Sequence, residues 1–549
     1  MDLLELIRHT EQAGRLKEIV RTLMYYRMGD WFKDVPLMAL RDMLADSKSR
    51  AMRDRPLPER LRLALTEMGP TFIKLGQVLS TRADLVGPEI ADELRKLQAD
   101  TPADPPEVVR RTIQDELGKS PEDLFAEFEP AAFSSASIGQ VHRARLADGQ
   151  PVVVKVQHYA IQEKVRIDLE LLLALAKVLQ EHVADARAYQ PVATAREFQR
   201  TLLSELDFSS ERRNMEQFAR NFAEDATVFI PAVYRHLCSR RVLTMDLLQG
   251  VPGSKPEKIH ASGIDLNDFA KAVANIFLNM IFRDGFYHAD PHPGNYMLLE
   301  GGVLGLLDCG MVGRIDGPMR ELFENLLLLL LQRDSEGLAD LLLQAGSAPD
   351  DVDRAAFRSN VTDLIVEYGT QSLDEFDLGG ALDQLTGIVR RHHVLMPAAA
   401  SMLIKTLVML EGTSRQLSPT FSLVEVLEPF KEQLIIERIH PRHWFKRLQQ
   451  SARDIDRLVK MGPRNLADIL DRLQSGKLKI RHELAGLELI VNRLVGGLLI
   501  ASLFLGSSLL LGWTFPPLVS GVSGFGALGC LIAMVLGGRL LWAIRKDLR

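Results

Sequence analysis

Two long stretches near the C-terminal end carry no charge, and they constrain the chain more than any other feature. Leu494 to Trp513 is an uncharged run of 20 residues, and Leu518 to Gly538 is another of 21. At about 1.5 Å per residue, a helix of either length reaches across a hydrocarbon layer of roughly 30 Å. Only Thr514-Phe515-Pro516-Pro517 lies between them, so the spacing predicts a tight transmembrane hairpin at 494–538. Lys477, Lys479, Arg481 and Arg493 precede it, Arg539, Arg545, Lys546 and Arg549 follow it, and the connector has no positive charge. The positive-inside tendency then places both ends, with the 539–549 tail, in the cytoplasm. Small residues at helical spacing, Gly497 with Ala501 and Ser502 with Gly506, are expected where the two helices approach.

The remainder reads as globular. Hydrophobic residues make up 46% of the 549 and charged residues 25%, which excludes a disordered chain. The formal net charge of -6 provides no basic field, so nucleic acid is not an expected partner. Cys238, Cys309 and Cys530 are far apart, which excludes a disulfide framework or zinc-type spacing and fits a reducing compartment. Met1 to Arg8 has Asp2 and Glu5 inside its apolar pattern, so a secretory signal is not expected.

Punctuation along the chain suggests seven segments. Residues 1–58 read as a helical segment. Residues 59–124 read as a helical extension, interrupted at Gly69-Pro70 because proline cannot continue a helix ladder. From about Phe125 short strands begin: Val141–Leu146 and Pro151–Gln157 flank Ala147-Asp148-Gly149-Gln150, a hairpin signal, and Ile161–Val183 follows as a leucine-rich helix. A first lobe is thus expected at 125–250 and a mainly helical second lobe at 251–436. A basic helical linker with Trp444 and Phe445 is expected at 437–493, suited to a membrane surface or to packing on a domain.

The chemistry concentrates in His288-Ala289-Asp290-Pro291-His292-Pro293-Gly294-Asn295 and in Asp308-Cys309-Gly310. Phosphoryl transfer asks a protein for oxygen ligands that hold magnesium against phosphates and for a group that orients the nucleophile. Tyr296–Leu299 and Val303–Leu307 form a plausible hairpin through Glu300-Gly301-Gly302, which returns Asp308 to the side of Asn295 and leaves the Asp290 carboxylate free. A polar turn with a capping Asp and a buried His is the plainer alternative. Lys155, inside Val152-Val153-Val154-Lys155-Val156, supplies a strand lysine able to reach phosphates; without the downstream loop it would read as a lysine snorkelling to solvent. Ahead of it Ser135-Ala136-Ser137-Ile138-Gly139-Gln140 occupies the place of a glycine-rich loop with only one glycine. Lys74 and Gln77 share a helix face, and Glu205 and Asp207 bring two acids together; taken alone, each could be surface charge.

These motifs together resemble the UbiB family of atypical kinases, also called the AarF or ADCK group, over about residues 60–430. Lys74-Leu75-Gly76-Gln77 is similar to its KxGQ motif, the 135–140 segment to its alanine-rich nucleotide loop, Glu205-Leu206-Asp207 to its ExD motif, and His288–Asn295 to its catalytic loop. The resemblance implies an α+β, two-lobed, protein-kinase-like fold with an N-terminal helical extension and a C-terminal transmembrane hairpin. It implies ATP or ADP with Mg2+ as cofactors, Glu211 as the partner of Lys155 (Glu170 competes), and Asn295 and Asp308 as magnesium ligands. Asp290 would orient the nucleophile, while Lys74, Gln77, Glu205 and Asp207 would restrict the pocket. His292 stands where protein kinases carry lysine and small-molecule kinases carry histidine. A membrane-anchored ATPase or small-molecule kinase supporting ubiquinone synthesis at the bacterial inner membrane is therefore expected. Its partners would be a membrane lipid or quinone precursor and ubiquinone-biosynthesis enzymes, with a homodimer left open. A non-catalytic nucleotide-binding scaffold and a true protein kinase are the alternatives.

Overall fold

Residues 10–28, 55–80, 82–97, 102–182, 190–349, 352–369, 376–430, 487–512, 518–519 and 522–547 are described by the structure, a computed structural model. The chain forms two compact units, Met1–His440 and Pro441–Arg549. Most of the expected basic linker, 437–486, including Lys477, Lys479 and Arg481, lies outside the described residues, as do the 514–517 connector and the two ends of the chain.

In the first unit, α1 (Thr10–Tyr25), α2 (Leu57–Met68), α3 (Pro70–Leu79) and α4 (Pro88–Leu94) build the extension. The break between α2 and α3 falls where the sequence puts Gly69-Pro70: Gly69 takes φ 93°, and Pro70 opens the next helix without needing its missing N–H. Leu16, Ile19, Leu65, Phe72 and Leu94 form their shared core, closed by Leu171 from the later helix Ile161–His182. Arg15 ties the layers together. Its Nε donates to Asp168 Oδ1 at 2.7 Å, its Nη2 donates to the Met68 carbonyl at 2.6 Å, and Asp168 is fully buried.

After α5 (Pro106–Leu117) come β1 (Glu127–Phe128), β2 (Ser134–Ser135), β3 (Gly139–Arg145) and β4 (Pro151–Gln157). The helices α6 (Ile161–His182), α7 (Pro191–Glu205) and α8 (Phe208–Asn221) follow, then β5 (Val228–Phe229) and β6 (Val242–Asp246). An antiparallel sheet runs β1-β3-β4-β6, with β2 also on β3. The expected hairpin is present, with Val141 opposite Lys155 and Gly149 at φ 87° in its turn. Strand alternation explains the placement of the lysine. Val152, Val154 and Val156 face a core shared with Val109 and Ile113 of α5, so Val153 and Lys155 point to the other side.

The rest of the unit consists of β7 (Val251–Pro252), α9 (Pro256–Ala261), α10 (Leu266–Asn279), β8 (Phe286–His288), β9 (Tyr296–Leu298), β10 (Leu304–Leu306) and β11 (Val312–Arg314). Then come α11 (Gly317–Gln332), α12 (Ser335–Ala345), α13 (Arg354–Gly369), α14 (Leu378–Arg391) and α15 (Ala398–Leu417). Phe277, Tyr287, Leu306, Leu403 and Leu407 belong to the large core beneath these strands. The β9–β10 hairpin pairs Leu298 with Leu304 and Tyr296 with Leu306, as the sequence predicts.

The second unit corrects part of the hairpin expectation. Helix α16 (Leu487–Gly512) contains Leu494–Gly512, which is long and apolar enough to cross a membrane. The second uncharged run is not helical throughout. Leu518–Val519 (β12) pairs with Val522–Ser523 (β13), and α17 starts only at Gly524 and continues to Asp547. Its apolar stretch, Gly524–Leu540, is the shorter of the two. The expected close approach holds only in part: a Cβ at Gly497 would lie 3.9 Å from Leu540 Cδ2 of α17. A Cβ at Gly506 would meet nothing within 4 Å, and Ser502 bonds its own helix at the Leu498 carbonyl. Gly526 makes a tighter contact: a Cβ there would lie 2.8 Å from the Leu511 nitrogen.

Candidate active site

A cleft of about 800 Å³, open to solvent, is lined by Lys74, Ala136–Gly139, Lys155, Glu205, Asp207, Glu211, His288, Asp290, Asn295 and Asp308. Local structure places each of them. Asp207 accepts from the Ser209 N–H at 3.0 Å and caps α8, a stabilising use of an N-cap acid. One turn further on, that helix presents Glu211, whose Oε2 lies 2.8 Å from Lys155 Nζ. Glu170, the competitor, pairs instead with Arg166 at 2.7 Å. Lys155 Nζ also stands 3.9 Å from Asp308 Oδ2. Burial works against the Lys155 ammonium, but Glu211 and Asp308 outweigh it and raise its pKa. Burial pushes the Glu211 carboxyl up, and Lys155 only partly offsets that rise. Asp308 resists burial through Lys155 and the Gly310 N–H, and its pKa falls.

The 288–295 loop and the Asp308 loop are locked together. The Leu307 N–H donates to the Asn295 carbonyl at 2.8 Å. His288 Nδ1 accepts the Asp290 N–H at 3.1 Å, and its Nε2 contacts the Asp308 carbonyl. A ring that accepts at Nδ1 must donate at Nε2, which fixes a neutral tautomer. Asn295 Nδ2 donates to Asp290 Oδ2 at 2.8 Å, which leaves the Asn295 amide oxygen available. The Asp308 side chain keeps half its surface open to the cleft. Among the described residues no group of three or more His, Cys, Asp or Glu could hold a metal ion alone. That donor set fits Mg2+, which takes one or two protein oxygens and completes its shell with phosphate and water.

Lys74 enters the same cleft and pairs with Glu205 Oε2 at 2.8 Å. Gly76 lets its helix settle: a Cβ there would lie 2.9 Å from Leu65 Cδ1. Gly139 is held to glycine by packing, since a Cβ would lie 2.7 Å from the Val156 carbonyl oxygen.

Three sequence candidates lie outside the cleft lining. Gln77 donates to the Leu97 carbonyl at 3.3 Å. Gln140 is buried, accepting the Asp104 N–H at 2.6 Å and bonding His142 at 2.9 Å. Ser135 lies 3.4 Å from His158 Nε2. Sequence reasoning missed Asn214, one turn beyond Glu211, whose Nδ2 donates to the Cys309 carbonyl at 3.0 Å. Its spacing from Glu211 on one helix face was the available signal.

A family model described as the ABC1 atypical kinase-like domain matches residues 96–342, a UbiB helical domain matches 361–422, and an ABC1/UbiB kinase-like C-terminal domain matches 479–546. A Pseudomonas aeruginosa protein named "Probable protein kinase UbiB" is 33% identical over 469 residues, covering 84% of this chain and 87% of that protein. The chain belongs to the UbiB family. A UbiB relative of the same name from Glaesserella parasuis is 32% identical over 452 residues, covering 80% and 82%. Among solved structures, the complex of Rv3197 with erythromycin from Mycobacterium tuberculosis is 24% identical with a TM-score of 0.40, covering 65% of this chain and 94% of that one. The cleft just described therefore lies in a kinase-like fold of an atypical family, and such a domain implies nucleotide binding.

Proposed function

We propose that the chain is a membrane-anchored ATPase or small-molecule kinase supporting ubiquinone synthesis, by regulation or lipid handling rather than by a ring-modifying step. The observation that carries this reading is the convergence of the Lys155–Glu211 pair, Asp308, Asn295 and Asp290 on one cleft. Lys155 would hold the α- and β-phosphates of ATP, with Glu211 fixing its direction. Asn295 and Asp308 would hold Mg2+, which supplies charge neutralisation at the phosphates when bound. Asp290 would take the proton of the attacking water or small hydroxyl compound. The names of the UbiB relatives supply the pathway.

Lys74 favours a small acceptor over a protein one, because the extension puts its ammonium inside the cleft against Glu205. The exposed leucines of α16, such as Leu498, Leu499, Leu505 and Leu509, support an anchor, since water does not tolerate such a belt. A hairpin of α16 and α17 with both ends cytoplasmic, at the bacterial inner membrane, completes the reading.

The test is magnesium-dependent ATP hydrolysis by the detergent-solubilised protein, with and without a quinone-precursor analogue, beside Asp308→Asn. Stimulated phosphate release that vanishes in the variant is the expected result. Tight nucleotide binding without release would replace the enzyme by a nucleotide-gated scaffold.

A further inference from the structure

Behind the nucleotide loop lies a set of polar contacts that the proposed chemistry does not use. The turn at 136–139 lines the cleft, and three of its carbonyls are occupied from within the protein. The Ala136 N–H donates to the Gly139 carbonyl at 2.9 Å, and the His158 N–H donates to the Ile138 carbonyl at 2.9 Å. His158 Nε2 stands 2.9 Å from the Ala136 carbonyl oxygen and 3.4 Å from Ser135 Oγ. A carbonyl only accepts, so Nε2 is the donor to Ala136. His158 therefore grips the loop with both its backbone and its ring, from a position just past the end of β4.

The other ring nitrogen meets Asp104, on the segment that leads from the helical extension into α5. Asp104 Oδ2 lies 3.2 Å from His158 Nδ1 and accepts the Tyr159 N–H at 2.9 Å. The Asp104 N–H donates to Gln140 Oε1 at 2.6 Å, so this one residue supports the loop on both flanks. His158 and Gln140 are buried. A phosphate cradle must offer N–H groups and keep its carbonyl oxygens turned away, since like partial charges repel. Glycine-rich loops reach such shapes through backbone conformations that a Cβ disfavours. Here Gly139 is the single glycine between Ser135 and Gln140, and its contact with Val156 already fixes it. Without His158, the Ala136 carbonyl is free to swing toward the phosphates. We propose that His158, held by Asp104, is the positioning residue of the nucleotide loop, doing by an outside contact what further glycines do elsewhere. The inference deepens the proposed function and rests on it only for the nucleotide in this cleft.

The test uses the full chain in detergent. His158→Phe keeps a ring and removes both nitrogens, His158→Gln returns a donor at the place of Nε2, and Asp104→Ala removes the support behind the ring. A hydrogen bond of ordinary strength corresponds to about fivefold in binding. Calorimetric titration should show Mg-ATP bound about fivefold more weakly by His158→Phe and about threefold more weakly by Asp104→Ala, with His158→Gln within about twofold of wild type. In hydrolysis assays the KM for ATP should carry this loss, and kcat should change by less than about twofold, because Asp290, Asn295 and Asp308 are untouched. In nucleotide-free protein, amide hydrogen exchange of the 134–141 peptide should quicken in His158→Phe and Asp104→Ala and recover in His158→Gln, with the 288–295 peptide as the unchanged control. Rescue by glutamine separates positioning from packing, since phenylalanine is the better replacement for a ring that only fills space. Melting temperature reports folding; should His158→Phe not fold, Asp104→Ala decides alone. Affinity and exchange unchanged in His158→Phe or in Asp104→Ala, or a glutamine variant no better than the phenylalanine one, overturns the inference. A wild type that binds no Mg-ATP would refute the proposed function and leave the exchange comparison to decide this one.

Discussion

Glu211 is buried against a lysine, and the fate of that lysine decides what the glutamate costs. Removing one partner of a buried pair leaves the other charge uncompensated, at about 3–5 kcal/mol. Lys155→Met should therefore lower the melting temperature as well as abolish nucleotide binding, whereas Lys155→Met combined with Glu211→Leu should recover most of the melting temperature and none of the binding. Calorimetry with and without Mg-ATP separates the two effects; equal melting temperatures for the single and double variants would contradict the argument. His288 makes a second case. Its ring joins the Asp290 N–H to the Asp308 carbonyl, so His288→Phe should reduce turnover at saturating ATP more than it changes ATP affinity. At this scale the sequence was legible where chemistry and spacing coincide, as with Lys155, Asp290, Asn295 and Asp308. It was not legible where a polar residue serves packing. Gln140 and Gln77 carry motif positions, but their amides satisfy backbone and side-chain groups away from the cleft.

At the scale of elements, helix ends position the acids. The α7–α8 junction sets Glu205 at the end of one helix, Asp207 as the cap of the next and Glu211 one turn inside it. Alternation along β4 similarly decides which face Lys155 occupies, so these placements follow from local rules readable in sequence. The joint between α14 and α15 does not. Glu411 on α15 accepts the Gly379 N–H at the start of α14, and its Oε1 lies 2.9 Å from Arg415 Nη2. Burial pushes its pKa up to about 7, opposed by Arg415 and the Gly379 N–H. Between the ordinary pKa of 4.5 and about 7, the folded state thus holds a proton that the unfolded state has lost. By linkage, Glu411 removes stability as pH rises through that window. Glu411→Gln should have a melting temperature that rises relative to wild type between pH 5 and pH 8; a constant difference across that range would refute the assignment.

At the scale of the whole molecule, the sequence located a helix long and apolar enough to cross a membrane but misjudged the second uncharged run. Uncharged length alone suggested a helix from Leu518, yet Leu518–Val519 and Val522–Ser523 pair as strands β12 and β13, and Gly524 opens the helix. A count of apolar residues cannot distinguish helix from paired strand in a short glycine-containing run. The interface was placed only in part, with Gly497 near α17 and Gly506 away from it, because many small residues satisfy the spacing and only packing selects among them. Gly526 and Gly529 face Ser507 across the pair, so Gly529→Leu should force α16 and α17 apart. If the Pro441–Arg549 unit is the anchor, a chain ending at His440 should leave the membrane fraction for the soluble one. Its basal ATP turnover should stay within a few-fold of the full chain, since every cleft residue belongs to the first unit. Stimulation by vesicle-embedded quinone precursors should be lost. Retention of the shortened chain on membranes would place the anchor in the first unit instead.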